Sequence, residues 1–222
     1  MSFVKILKDT LSPYHLLKHP FYQMWMEGTL PKECLLNYAG QYYHHVSAFP
    51  RYISALHSLC ENQQDRKILL ENLNDEEGAE GMDPHPDLWM YFAEGLGLDK
   101  KEVKNAASCR SIQHLIDTFF SHCRGSYAKG LSALYSYEYQ VPEVAETKIQ
   151  GLKKHYGIQD KRTLLFFLVH KAADVEHRQA IEKLLEKLPE EQQKEALNSA
   201  VDIAKALWSF LTEMQPSPSV TV

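Results

Sequence analysis

His170, Asp174 and His177 stand four and then three residues apart in the segment HKAADVEH. On a helix, at about 100° per residue, that spacing brings three side chains within an arc of roughly 60°. Two imidazoles and a carboxylate then point the same way. Such a set can ligate a metal ion, form an acid–base pair with an orienting carboxylate, or lie on a wet helix face. The choice depends on what the rest of the chain brings to that face.

A two-metal site in a helical bundle draws Glu, Asp and His from facing helices into one water-poor pocket. Its usual signature is a pair of Glu-x-x-His motifs, and this sequence has none. Asp174-x-x-His177 supplies one carboxylate–imidazole pair, with His170 a turn earlier. Two segments offer a second set: NLNDEEGAEGMDPHPDLW, with Glu76, Glu77, Glu80 and His85, and LYSYEYQVPE, with Glu138 among Leu134, Tyr135, Tyr137 and Tyr139. A carboxylate among aromatic rings is costly to bury ionised unless it is paired or metal-bound, so Glu138 carries more information than an exposed acid.

The elements that must position these groups are helical. Residues 31–62 carry Leu35, Tyr38, Tyr42, His45, Phe49, Tyr52, Leu56 and Leu59 at threes and fours, with a kink expected at Pro50. Residues 64–78 form the next helix, ending at Gly78, and a loop over 78–87 leads to a short helix closed by Gly97. Two helices are expected over 111–157, with a break at Gly130 or around Pro142. Residues 160–188 form a strong amphipathic helix, and Pro189 opens the last one. No alternating strand pattern is present. The expectation is an all-α bundle of seven or eight helices in one domain over 1–214, with a disordered tail over 215–222.

Composition excludes several classes. Hydrophobic residues make up 44% and charged residues 24%, as in an ordinary globular protein. The net charge is −5 with scattered Lys and Arg, which argues against nucleic acid or an anionic membrane as partner. The longest apolar run, LLFFLV, is too short to cross a bilayer. Four cysteines without CxxC spacing, and an N-terminus unlike a signal peptide, point to free thiols in the cytoplasm.

The stretches HPFYQMWMEGTLPKECLLNYAGQYYHHVSAFPRYISALHS, LLENLNDEEG, HPDLW, ALYSYEYQVPEVAETKIQGL and HKAADVEH together resemble one family. It is that of the chlamydial protein associating with death domains and its bacterial relatives, a folate-metabolism family within the PqqC/TenA/haem-oxygenase-like superfamily. The resemblance covers residues 12–213. It implies a helical fold enclosing a dinuclear centre, Fe/Fe or Mn/Fe, with ligands at Glu76, His85, Glu138, His170, Asp174 and His177. The 76–85 loop is slightly longer than in the chlamydial form, so Glu77 stands as an alternative to Glu76. The resemblance also implies para-aminobenzoate synthesis from dioxygen and an external reductant, the electron donor being unidentified, and a homodimer. In the family's route the protein sacrifices a tyrosine for the ring and a lysine for the amino nitrogen; these correspond to Tyr22 and Lys148. Tyr38 and Tyr137 match positions near the metals. Phe166 departs from the tyrosine of the chlamydial form, which argues against a radical relay there but leaves the ligands unaffected.

The residues alone read more plainly. Tyr22 is an aromatic anchor beside Phe21 and Trp25, and Lys148 a solvated lysine near Glu143, Glu146 and Lys153. Of the pair His44 and His45, at most His45 faces the pocket, a hydrogen-bonded core histidine being the favoured reading, and Cys123 reads as a small buried residue. Two other functions compete: a PqqC-like oxidase or TenA-like thiamin-salvage enzyme turning over an added small molecule, and a protein-interaction module indifferent to Asp174→Ala.

Overall fold

The computed structural model describes residues 2–78 and 81–216, apart from the side chains of 172–175. The chain begins with α1 (Phe3–Leu11), two 3₁₀ turns over 12–14 and 16–18, and α2 (Pro20–Glu27). The long α3 (Lys32–Leu59) follows, then α4 (Gln63–Glu77), α5 (His85–Gly95) and α6 (Lys100–Asn105). The second half holds α7 (Arg110–Gly125), α8 (Tyr127–Glu138), α9 (Val141–His155), α10 (Lys161–Leu185) and α11 (Glu190–Glu213). The all-α expectation holds, but the described residues form eleven α-helices where seven or eight are expected. The short α1, α2 and α6 carry too few turns for periodicity to expose them. The expected tail lies largely outside the described residues.

Local chemistry explains the boundaries. Gly78 closes α4 in the left-handed conformation, with φ 80°, where a Cβ would be strained. His19 caps α2 with Nδ1 accepting from the Phe21 N–H, and Pro20 fills the first helical position. The α3 helix runs through Pro50, and its stripe from Leu35 to Leu56 is buried as the spacing required. Segment 111–157 yields three helices. The chain breaks at Ser126 and again before Pro142.

Gly130, expected as a break, instead lies inside α8. A Cβ there would stand 2.6 Å from Leu56 Cδ1, so the glycine permits the close approach of α3 to α8. Around this frame α8 packs on α11, α5 and α9 pack on α10, and α3 packs on α7. Helices α3, α4, α5, α8, α9 and α10 enclose the interior that holds the buried Glu76, His85, Glu138, Lys148 and His170.

Gly151 serves the same purpose under Trp25. A Cβ at 151 would meet Trp25 Cδ1 at 2.5 Å and the Trp25 carbonyl at 3.1 Å, while Trp25 Nε1 donates to the Lys148 carbonyl. Gly151→Ala should therefore destabilise the protein by ~1–3 kcal/mol despite the better helix former. Gly40, inside α3 with nothing near its missing Cβ, should tolerate Ala and gain up to ~1 kcal/mol. Urea melts of the two variants check the pair, and equal effects would contradict the packing described.

Candidate active site

Glu76 sits in the last turn of α4, His85 at the first position of α5 and His170 midway along α10. All three are buried, at 4%, 1% and 3% exposure. Each offers one ligand atom, and these atoms lie within 4.8 Å of one another. Glu76 Oε2 is 2.9 Å from His85 Nδ1, and the rings of His85 and His170 approach to 4.4 Å between centroids. Glu77, the alternative to Glu76, faces solvent.

The cluster fits a metal ion on its own chemistry. His170 Nδ1 lies 2.7 Å from the Phe166 carbonyl, which can only accept, so Nδ1 carries the proton and Nε2 keeps its lone pair. That is the tautomer a ligand needs, held by the partner type that metal-binding imidazoles use. Burial, and next the neighbouring His85, hold the His170 pKa well below its ordinary value. Both imidazole lone pairs and the carboxylate suit iron or manganese.

The remaining expected ligands are disposed differently. Glu138, at the end of α8 and buried, accepts a hydrogen bond of 2.8 Å from Asn72 Nδ2. His177 Nε2 lies 2.8 Å from Asp75 Oδ2 at the edge of α4 and α10. The side chain of Asp174 lies outside the described residues, as does Glu80. The structure thus gathers Glu76, His85 and His170 into one cluster and places Glu138 and His177 on α4 partners beside it.

A second cluster joins phenols to an amine. Lys148, on α9, is 4% exposed, which corrects its reading as a solvated lysine. Its Nζ donates to Tyr38 Oη at 2.7 Å, and Tyr38 Oη is 3.3 Å from Tyr22 Oη. The amine stands 5.5 Å from the Tyr22 ring centre, 5.4 Å from Tyr42 and 5.2 Å from Phe167. Among the described residues no carboxylate pairs with it. Burial alone pushes its pKa down to about 7, so a large share of the amine is neutral near neutrality. Burial also raises the phenol pKa values of Tyr22 and Tyr38, keeping both protonated.

The two clusters adjoin. One narrow cavity is lined by Tyr22, Tyr42, Tyr137, Lys148 and His170. A second, also lined by Tyr137 and His170, reaches Glu76 and His45. Phe166 lines both, its ring tilted against that of His170 with the centroids 3.9 Å apart.

Sequence reasoning missed Asn72, and it gave the buried His45 a hydrogen-bond partner that the described residues do not supply. The buried residues of α4 are Asp65, Leu69, Asn72 and Glu76, a helical stripe written mainly in polar side chains. That stripe was the available signal, because polar residues on a core face require partners. His45 is wholly buried, but neither ring nitrogen has a hydrogen-bond partner among the described residues. Cys123 is buried as expected.

Comparison with known proteins agrees with this chemistry. Residues 36–210 match a family described as iron-containing redox enzymes. A 4-aminobenzoate synthase of Chlamydia pneumoniae is 40% identical over 213 residues, covering 95% of this chain and 94% of the relative. A 4-aminobenzoate synthase of Nitrosomonas europaea is 39% identical over 222 residues, covering 95% and 89%. A TenA homologue from P. horikoshii OT3 shares the fold, with TM-score 0.78 and 16% identity over 96% of this chain and 98% of that one. The chain is a member of the haem-oxygenase-like family of iron-containing redox enzymes.

Proposed function

We propose that this enzyme makes 4-aminobenzoate for folate synthesis in an oxygen-dependent reaction, consuming its own Tyr22 for the ring and Lys148 for the amino nitrogen. The observation that carries the reading is the buried Lys148–Tyr38–Tyr22 chain of hydrogen bonds, next to a buried Glu76–His85–His170 cluster. The two relatives named 4-aminobenzoate synthase support the product.

Glu76, His85 and His170 would hold metal, with Glu138, Asp174 and His177 completing a site for two ions, Fe/Fe or Mn/Fe. Such ions, once reduced by an external donor, supply dioxygen binding and a strong oxidant. The chain supplies the rest. Its closed hydrocarbon walls keep water from a reactive phenol. Tyr38 spans the gap between Lys148 and Tyr22, so the nitrogen donor and the ring that receives it are fixed before reaction. A protonated amine has no lone pair to give, and the depressed pKa of Lys148 removes that obstacle.

Incubating the metal-free protein with ferrous iron, with manganese and with both, then with reductant and oxygen, tests the route. The expected result is 4-aminobenzoate at no more than one equivalent per chain, and an intact-mass change that maps to Tyr22. Tyr22→Phe should abolish both. Continued turnover on added tyrosine would exclude self-sacrifice.

Lys148 also sets a pH signature. The unfolded chain keeps its proton up to about 10.5, whereas the folded chain releases it at about 7. Between those values the unfolded state binds more protons, so stability rises with pH. Each pH unit of that window is worth up to about 1.4 kcal/mol. Lys148→Met should flatten the rise in urea melts between pH 7 and 10. An unchanged slope would show that the amine is not desolvated.

A further inference from the structure

His45 lies on α3, one turn after Tyr42. Its ring is enclosed by Tyr42, Tyr52, Phe119 and Tyr137, at centroid distances of 5.2, 5.7, 5.1 and 5.2 Å. A neutral imidazole always presents one N–H donor and one acceptor. Here both ring nitrogens are buried without a hydrogen-bond partner among the described residues. Leaving polar atoms unmet in hydrocarbon costs stability, and phenylalanine would fill the same cage without that cost. Packing therefore does not account for the choice of histidine.

The same imidazole lines the narrow cavity that reaches Glu76, His170 and Tyr137. The free space there is at the lower limit for one water-sized molecule, which excludes an organic substrate and admits a ligand of two atoms only if the surrounding side chains give way. We propose that His45 is the hydrogen-bonding residue for a dioxygen-sized ligand held in this cavity beside Glu76 and His170. The inference rests on the reading of Glu76, His85 and His170 as metal ligands. It gives His45 a role of its own: it donates its N–H to the small ligand without binding the metal. Burial, and secondarily the charge of Lys148, push its pKa down to about 3, so it acts as a neutral donor.

The test uses nitric oxide as a dioxygen-sized probe on the full chain loaded anaerobically with ferrous iron. Iron content is measured first. His45→Phe should keep its iron but release nitric oxide about tenfold faster, the usual worth of one buried hydrogen bond. Its N–O stretching frequency should shift relative to the wild type. His45→Gln, which keeps a donor, should recover most of the wild-type rate. In the metal-free state His45→Phe should melt at the same temperature or higher, because the substitution removes unmet polar atoms.

An unchanged release rate and frequency with iron still bound would overturn the proposal and leave the metal reading intact. Loss of iron or a lower melting temperature in both variants would also overturn it, by showing that the imidazole supports the fold or the ligands. A wild-type protein that takes up no iron would fail at the first step and bring down the metal reading with it.

Discussion

Ionisable groups cannot be buried together in hydrocarbon without something to offset their lost hydration, and this constraint governs the interior of the molecule. Glu76, His85, Glu138, Lys148 and His170 are all nearly inaccessible to water. The chain meets the requirement in two ways. Lys148 sheds its proton more readily than an exposed lysine and satisfies its amine on a phenol. The carboxylate–imidazole cluster pairs within itself and presents a ligand set that a cation would complete. The helices around both clusters are placed so that the two solutions share a wall.

That wall links fold to chemistry. Helix α10 carries His170, α8 carries Tyr137 and Glu138, and α9 carries Lys148, and these helices pack on one another. A shift of any one moves both clusters. The small residues at helix contacts follow from the same need. Gly151 lets Trp25 lie against α9 at the turn that holds Lys148, and Gly130 lets α8 approach α3. The oxidisable phenol, the amine and the metal-type cluster are thereby fixed by packing against rigid helices, which suits chemistry that must proceed without solvent.

How much of this was legible in the sequence depends on the physical signal each residue leaves. The all-α class, the long α3, the end of α4 at Gly78 and the start of α11 after Pro189 follow from periodicity and caps. Glu138 stood out because its sequence neighbours are aromatic. Lys148 did not, because charged residues flank it, yet Val141, Ala145, Lys148 and Leu152 form a buried stripe of α9. The lysine belongs to the apolar face, and only counting by threes and fours through it exposes that. Gly130 and Gly125 look alike locally. Their difference, a close helix contact against a helix end, is set by tertiary packing. Asn72 and Asp75, which hold Glu138 and His177, depend on contacts between segments far apart in the chain, which no local pattern encodes.

The proposed chemistry depends on a metal ion seated by Glu76, His85 and His170. Diffraction at the iron absorption edge, from crystals grown with ferrous iron without oxygen, locates that ion directly. The expected result, if these three residues seat the metal, is an anomalous peak between the Glu76 carboxylate and the two imidazoles. A cluster left without such a peak, with iron bound elsewhere or not at all, would contradict it.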